Sequence, residues 1–390
     1  MALLNKNLNE YKYGFSSSKK RFGINYWRFF FAGIDSVTGY EQMFFLEFQM
    51  VNPWISPAEV QLSFKSKTQL TEKDLAYALA GTESAKNLKT EEVITPSYCS
   101  IRIGKLGHDA KQLCTYFPVR DAIFSHKPFG IQYGNNVFDE CNLKGSISLS
   151  EEAGTYKPEY LCNEGDATWE LLYEVENGFG VGNSGDANWF PSGLQTRITG
   201  KVVFDGIEYK VRRDSCRGYS EKYWGKSLPE PWYHISATTL TSEITGKTLF
   251  GSAFAVQGVF DDKIAFIGKF EDQEIIFDAD KSKGKVETAW DCTQMPEAKD
   301  PDMNLLHWSC SFTSKNWVVD IDVYCKAKNL FNRNIELPDG SRKVSSVISG
   351  ISESGEIKLY KRKGPNLEQI EHAKLHNVVC EFGHKEEFEF

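Results

Sequence analysis

The sequence has no excess of basic residues, no long apolar run and no closely paired cysteines. Its 390 residues include 45 Lys and Arg against 53 Asp and Glu, which gives a formal net charge of −8. A nucleic-acid-binding protein normally carries a basic surface that neutralises phosphates, so this charge argues against that class and against an anionic membrane surface as the main partner. No apolar run reaches the ~18 residues of a membrane-spanning helix. We therefore expect neither nucleic-acid binding nor an integral membrane segment.

The N-terminus and the cysteines point to a cytoplasmic protein. The first ten residues are polar, without the apolar segment of a secretory signal or the arginines of a transit peptide. The nine cysteines are odd in number and form no Cys-x-x-Cys pair. This pattern fits reduced, mostly buried thiols better than a disulfide framework or a zinc site. Cys216 has no histidine nearby in sequence, so we interpret it as a buried thiol rather than a nucleophile.

Three well-known chemical motifs are incomplete or absent. Residues 178–185 begin like a phosphate-binding loop, but no helix follows to present its amides. His372 and His376 stand four residues apart on a predicted helix, yet Ala373 replaces the Glu of a zinc-protease motif and no third ligand is evident. No Gly-x-Ser-x-Gly segment is present. We predict no metal and no cofactor.

Aromatic runs of strand length dominate the chain. Aromatic residues make up 14% of the sequence, which favours strands and an apolar ligand pocket. Residues 25–31 and 42–49 predict a hairpin, and residues 199–204 and 207–211 predict another around Asp205-Gly206, a pair favoured in type I′ turns. Further strands are predicted at 263–267, 274–277, 317–324 and 356–360, against only two helices, at 71–80 and 367–375. The pattern indicates a sandwich or a barrel.

The start of the chain has a weak echo near its midpoint. Trp27 begins a strand that leads to Thr38-Gly39, and Trp232 begins one that leads to Thr245-Gly246, an offset of about 206 residues. Its position favours a duplicated β-barrel. We predict an N-terminal domain at 1–215 and a C-terminal domain at 216–390, with the boundary region between 211 and 231.

The segment 219–225 is the densest in acid–base and aromatic side chains. It reads Tyr-Ser-Glu-Lys-Tyr-Trp-Gly. Successive side chains of a strand point to opposite faces. One face would then carry Tyr219, Glu221 and Tyr223, and the other Ser220, Lys222 and Trp224.

Two interpretations of Glu221 remain open. In an apolar interior, desolvation would raise the pKa of Glu221, and with Tyr219 beside it the carboxyl could act as a general acid. The rings of Tyr223 and Trp224 could stabilise a developing cation. Alternatively, Glu221 forms a buried structural ion pair, with Arg217 or with a neighbour of Lys222.

This segment, with Pro229 and Trp232 after it, resembles the signature of the tocopherol cyclase-like family. The family form is Tyr-Ala/Ser-Glu-Lys-Asn-Trp-Gly, a short spacer and a Trp-rich strand. The segments that begin at Trp169 and Thr199 and the Trp27 hairpin also resemble family segments, so the similarity spans residues 20–280 in order. The resemblance implies an all-β fold of two lipocalin-like antiparallel β-barrels in tandem, with a few short helices and a pocket at their junction.

The resemblance also implies a function. It suggests a cofactor-free cyclase or isomerase that protonates an alkene of a prenylated or polyene ligand and traps the cation with a phenol oxygen. The implied catalytic residues are Glu221, Tyr219 and, as an alternative acid–base group, His234. The implied ligand-binding residues are Trp224, Tyr223, Trp232, Lys222 and Trp27.

The sequence departs from the family at Tyr223, where the family has Asn, and along residues 232–238, which leaves the ligand open. Two alternatives to the cyclase remain, a non-catalytic carrier of an apolar molecule and a hydratase or lyase on the same scaffold. The direction in which Glu221 points distinguishes catalysis from a structural role. The oligomeric state is left open.

Overall fold

Strands make up almost all of the described chain, which confirms the predicted all-β class. In the computed structural model of the protein, the described residues are 23–53, 97–126, 128–150, 162–178, 182–183, 187–214, 217–260, 262–279, 286–295, 305–338 and 343–387. Within these ranges the only helices are two 3-10 turns, Val119–Asp121 and Ala327–Asn329. None of the helices there is long and apolar enough to cross a membrane. The helix predicted at 71–80 lies outside the described residues.

The first part of the chain forms one antiparallel sheet of 13 strands that curls around a single apolar core. We call it the first barrel. Its strands are β1 Ile24–Asp35, β2 Glu41–Val51, β3 Tyr98–Lys105, β4 Lys111–Phe117, β5 Ala122–His126, β6 Phe129–Tyr133, β7 Asn136–Asp139, β8 Asn142–Leu149, β9 Gly165–Asn177, β10 Gly182–Asn183, β11 Ala187–Phe204, β12 Ile207–Val211 and β13 Arg217–Gly225.

The second part forms two antiparallel sheets of seven and six strands around another apolar core. We call it the second barrel. Its strands are β14 Trp232–Ala237, β15 Thr239–Ser242, β16 Ala253–Phe260, β17 Lys263–Phe270, β18 Gln273–Phe277, β19 Glu287–Gln294, β20 Leu305–Thr313, β21 Trp317–Lys326, β22 Leu330–Glu336, β23 Lys343–Ser352, β24 Gly355–Lys363, β25 Asn366–His376 and β26 Val378–Glu387.

Both predicted hairpins are present. β1 pairs with β2 along their whole length, and β11 pairs with β12. Asp205 and Gly206 between them have φ of 49° and 80°, the left-handed values that a type I′ turn needs at both central positions. The strands predicted at 263–267, 274–277, 317–324 and 356–360 lie within β17, β18, β21 and β24.

The helix predicted at 367–375 is wrong, because this segment lies within β25. Leu367 and Ile370, which helical spacing would place on one apolar face, are 49% and 37% exposed. Ala373 and Leu375 are buried and stand two residues apart, as on one face of a strand. Hydrogen bonding to β24 on one side and β15 on the other overrides the local pattern.

The chain passes from one sheet system to the other later than the predicted boundary at 215/216. β13 pairs with β1 and β11, so residues 217–225 belong to the sheet of the first barrel. β14 pairs with β16 and β26 of the second barrel. The change therefore falls between Gly225 and Trp232, because β13 completes the first sheet before the chain leaves it.

The echo at the two turns has a structural basis. Asp35 and Ser242 accept hydrogen bonds through their carbonyl oxygens from Gly39 and Gly246, and their side-chain oxygens also bond amides of the turn. Trp27, however, belongs to the core of the first barrel, whereas Trp232 lies outside that of the second. The residues of β14 that point into its own barrel are Tyr233, Ile235 and Ala237.

A third apolar cluster lies between the barrels, and we call this region the junction. Its members come from the outer faces of strands in both barrels and include Tyr26, Tyr223, Trp232, Ala255 and Val347. Because side chains alternate along each strand, β1 and β13 contribute one face to the first core and the other to the junction.

Candidate functional site

The alternation predicted for residues 219–224 is present in β13. Tyr219 and Tyr223 lie in the junction, on the face that also carries Glu221. Lys222 points to the other side, where its Nζ lies 5.0 Å from the ring centroid of Trp27 and 5.6 Å from that of Trp224. Because β13 is hydrogen-bonded on both edges, to β1 and to β11, this alternation is fixed.

Glu221 is an ion-paired carboxylate buried in the junction. Nε of Arg28 donates to Oε1 of Glu221 at 2.7 Å, and Nη2 of Arg28 lies 2.5 Å from the same oxygen. Oε2 accepts hydrogen bonds from the Tyr219 hydroxyl and from Nε1 of Trp189, both at 2.8 Å. Neither predicted partner, Arg217 or a neighbour of Lys222, supplies this ion pair. The structural interpretation of Glu221 is thus supported, with a different arginine.

The expected rise in the pKa of Glu221 is wrong. Burial is the largest single effect and would raise the pKa, but Arg28, His234 and the hydrogen bonds from Tyr219 and Trp189 together outweigh burial. The pKa of Glu221 is therefore lowered. Conversely, burial and the charge of Glu221 raise the pKa of Tyr219, so the phenol stays protonated and donates a hydrogen bond to the carboxylate.

A row of alternating charges crosses the first barrel at this level. Arg28 on β1 stands opposite Glu221 on β13 and opposite Glu47 on β2, and Glu47 stands opposite Arg102 on β3. All four side chains are buried. Directly opposed side chains on one face of a sheet lie close enough to interact, so opposite charges support one another along the row.

A second polar row crosses the second barrel and faces the first. His234 on β14 stands opposite Gln257 on β16 and Glu381 on β26, and Glu381 stands opposite Ser349 on β23. Ser349 donates its hydroxyl hydrogen to Glu381 at 2.7 Å. Arg28 and His234 therefore have equivalent positions. Each lies on the first strand of its barrel and is the second of the four residues in its row.

Ion pairs join the two rows. Nη1 of Arg28 donates to both oxygens of Glu381, at 2.9 Å and 2.7 Å. Nη1 of Arg333 on β22 donates to Glu47 at 2.8 Å, and Nη2 of Arg333 lies 3.2 Å from Oε1 of Glu381. Burial would raise the pKa of Glu381, but the charges of Arg28 and Arg333 lower it overall. Each barrel thus supplies counter-charges for the other.

His234 is a neutral member of this network. Burial lowers its pKa, and although Glu221 opposes this effect, the net shift is downward. Nδ1 of His234 lies 2.8 Å from Oε1 of Gln257 and 3.9 Å from Oε2 of Glu221, and Nε2 lies 3.1 Å from the Ser236 hydroxyl. With His234 neutral, the buried arginines and carboxylates of the two rows balance once Arg333 of β22 is counted with them; they are Arg28, Arg102, Arg333, Glu47, Glu221 and Glu381.

An aromatic wall lies beside the charges. Tyr26 stacks on Tyr223 with ring centroids 5.2 Å apart, and Trp232 lies 6.1 Å from Tyr26. Nε1 of Trp232 donates to Glu381 at 2.9 Å. The guanidinium of Arg28 lies 4.7 Å from the ring centroid of Phe30, a cation–π contact.

Several buried hydrogen-bond donors of the junction lack an acceptor within the described chain, including two on uncharged side chains. The Tyr26 hydroxyl and Nε2 of Gln257 are buried and have no hydrogen-bond partner among the residues that the structure describes. Burial, together with the charge of Glu221, raises the pKa of Tyr26, so its hydroxyl stays protonated. A buried donor without an acceptor costs free energy and marks a place where a further polar atom would fit.

Of the eight predicted site residues, the junction contains Tyr219, Glu221, Tyr223, Trp232 and His234. Trp27, Lys222 and Trp224 lie on the first-barrel side of β13 instead. Sequence reasoning missed the partner charges Arg28, Glu47, Arg333 and Glu381. Arg28 and Glu47 could have been found from the sequence, because each is the one charged residue in the interior of an aromatic-rich strand.

Of the weaker candidates, the structure describes His372 and His376, and each contacts a protein side chain. His372 lies 2.8 Å from Glu356, and His376 lies 3.1 Å from the Thr241 hydroxyl, on a strand rather than on the predicted helix. In the described ranges, no group of three or more His, Cys, Asp or Glu side chains could hold a metal ion. Cys216 and most of residues 178–185 lie outside the described residues.

Among known proteins, this chain is similar in structure to a small number of solved structures. No protein-family model matches the chain, and no curated protein matches it. Kievitone hydratase from Nectria haematococca is similar at 10% identity and a TM-score of 0.43, over 92% of this chain and 89% of that one. A candidate AttH protein from Nitrosomonas europaea is similar at 9% identity and a TM-score of 0.43, over 96% and 95%. At these values neither likeness carries an inference about activity, and similarity to tocopherol cyclases stays an expectation from the sequence.

Proposed function

We propose that this protein is a carrier that holds an apolar small molecule, of the prenylated or polyene class, at the junction without acid catalysis by Glu221. The observation that carries the proposal is the state of Glu221. Its oxygens accept from Arg28, Tyr219 and Trp189, and its pKa is lowered. A carboxylate that is ionised at neutral pH holds no proton to give to an alkene.

The aromatic wall and the two uncharged donors without acceptors support a ligand at the junction. The rings of Tyr26, Tyr223 and Trp232 are buried and pack on one another beside the charges, which makes their surroundings apolar. The Tyr26 hydroxyl and Nε2 of Gln257 offer hydrogen bonds that the described protein does not use. A molecule with an apolar body and a carbonyl, ether or phenol oxygen would satisfy both requirements.

The cyclase or isomerase and the hydratase or lyase are less well supported. Each needs a proton donor, and the second predicted candidate, His234, is held neutral with both ring nitrogens within hydrogen-bond distance of a partner. Either reaction would consume ligand, whereas a carrier returns it unchanged.

The first test combines binding with turnover. The purified full-length protein is titrated with a panel of prenylated hydroquinones and polyenes, and quenching of its tryptophan fluorescence is measured. The same mixtures are then analysed by mass-detected chromatography after prolonged incubation. We expect saturable quenching and unchanged ligand. A cyclised or hydrated product would overturn the carrier proposal, and the absence of any binding would overturn ligand binding at the junction.

The second test removes the Tyr26 hydroxyl. Tyr26→Phe deletes a buried donor that has no acceptor, so the free energy of unfolding of the ligand-free protein should rise by about 1 kcal/mol. Affinity for a bound ligand should fall about five- to tenfold, because the ligand loses one hydrogen bond. Urea unfolding and the fluorescence titration measure the two effects.

Tyr223→Phe is the matched control. The Tyr223 hydroxyl donates to the carbonyl oxygen of Ser227, so the same deletion there removes a bond already made. Stability should fall rather than rise, and affinity should change little. If both variants shift stability and affinity in the same direction, the Tyr26 hydroxyl is not a ligand donor.

A further inference from the structure

A groove on the outer surface of the first barrel is separate from the junction. It has a volume of about 830 Å³, within the range of small-molecule sites. Its floor comes from the outward faces of β7, β8, β9, β11 and β12. Side chains alternate along these strands, so one set packs in the core of the first barrel and the other set faces this groove.

A row of charges crosses the groove with an excess of lysine. Lys144 on β8 stands opposite Glu170 on β9, Glu170 opposite Lys201 on β11, and Lys201 opposite Lys210 on β12. Glu170 forms its ion pair with Lys144, whose Nζ lies 3.2 Å from Oε1 of Glu170. Within the described residues no carboxylate lies within ion-pair distance of Lys201 or Lys210.

The other acids of the groove are already engaged. Asp139 accepts hydrogen bonds from the amide of Cys141 and from the side chain of Asn142. Glu208 accepts one from the Ser36 hydroxyl at 3.1 Å. These bonds come from neutral donors, so the lining carries three lysines and three acids, but the two adjacent ammonium groups of Lys201 and Lys210 form no ion pair of their own with the residues that the structure describes.

Two lysines directly opposed on neighbouring strands break a rule of sheet stability. Like charges in this position repel at a distance set by the strand spacing and destabilise the pair. A local violation of this kind, in which neither lysine forms an ion pair with a described residue, is expected where a functional site demands it. The exposed side chain of Leu172, which is 54% accessible, adds an apolar surface to the same groove.

We propose that this groove binds a small anionic amphiphile, in which a phosphate or carboxylate group lies between Lys201 and Lys210 and an apolar chain lies along Leu172. An anionic group between the lysines replaces their repulsion by two charge-assisted contacts. The site is independent of the junction, so neither proposal depends on the other.

The test uses three probes on the full-length protein at low ionic strength, namely decyl phosphate, inorganic phosphate and decanol, in titration calorimetry. We expect decyl phosphate to bind, inorganic phosphate to bind at least tenfold more weakly, and decanol not to bind. Equal affinity for the two phosphates would overturn the apolar half of the proposal. No binding of either phosphate would overturn the proposal as a whole.

Variants locate the site. Lys201→Gln with Lys210→Gln should weaken decyl phosphate binding at least tenfold. The control Lys363→Gln with Lys374→Gln makes the same change in net charge at lysines already paired with Glu368 and Glu243 in the second barrel, and should leave affinity unchanged. Equal loss in both pairs would reduce the effect to net charge and overturn the site.

A single reversal adds a readout that does not depend on ligand. Lys210→Glu replaces the repulsion with Lys201 by an attraction, so the free energy of unfolding should rise while decyl phosphate binding is lost. If Lys210→Glu lowers stability or keeps full affinity, the lysine pair is not the anion site.

Discussion

At Arg28 a single guanidinium holds carboxylates that come from both barrels. Glu221 lies 193 positions away in sequence and Glu381 lies 353 positions away. Arg28→Met would leave both carboxylates buried without this counter-charge. We expect the free energy of unfolding to fall by about 3–5 kcal/mol, because an uncompensated buried charge is far more costly than the ion pair is stabilising. Urea unfolding followed by circular dichroism measures the loss.

Arg213→Met provides the comparison at the surface. Nη2 of Arg213 lies 2.5 Å from Glu174, but both side chains are 54% exposed, and exposed pairs contribute little. The loss there should stay below about 1 kcal/mol. Equal losses at Arg28 and Arg213 would contradict the role given to the buried network.

Strand alternation is a local pattern, so it correctly predicted that Glu221, Tyr219 and Tyr223 share one face. The pairing of Glu221 with an arginine almost two hundred residues away leaves no local pattern and could not be predicted.

At the level of strands, local rules predicted what local contacts decide. The hairpins β1–β2 and β11–β12 followed from alternation and turn residues, whereas β25 was mistaken for a helix because its pairing with β24 and β15 outweighs its apolar spacing. The pairing of β13 with the first sheet has a related cause. Nothing within residues 217–225 indicates that this strand closes the sheet behind it rather than opening the next one.

Close strand packing gives a test at Gly200 in β11. Its φ is +137°, and a Cβ there would lie 2.1 Å from the backbone oxygen of Glu170 on β9. Gly200→Ala should lower the free energy of unfolding by more than about 3 kcal/mol, since both the backbone conformation and the contact are unfavourable. At Gly39 φ is also positive, at +75°, but no atom lies within 4 Å of a Cβ, so Gly39→Ala should cost only about 1 kcal/mol. If Gly200→Ala and Gly39→Ala lost comparable free energy in urea unfolding, the backbone of β9 would have to move to make room for the added methyl group.

For the whole molecule, the junction makes the association of the barrels sensitive to acid. The pKa values of Glu221 and Glu381 are lowered in the folded protein. Their contribution to stability is therefore complete above the ordinary glutamate pKa of about 4.3 and is lost as pH falls below it. Each carboxylate contributes a slope of up to about 1.4 kcal/mol per pH unit in that range. His234 adds to the loss in the same direction, because a histidine with a lowered pKa takes up its proton more readily when unfolded.

Urea unfolding between pH 7 and pH 3 measures this dependence. We expect stability to decline first through the histidine range near pH 6.5 and then more steeply below about pH 4.3. Glu381→Gln should have a lower free energy of unfolding at pH 7 and a shallower decline below pH 4.3, because one of the two titrating carboxylates is gone. Glu353→Gln, at an exposed position in the turn before β24, should keep both the stability and the slope of the parent protein. If Glu381→Gln retained the full acid slope, the carboxylates that join the barrels would not be the groups whose protonation separates them.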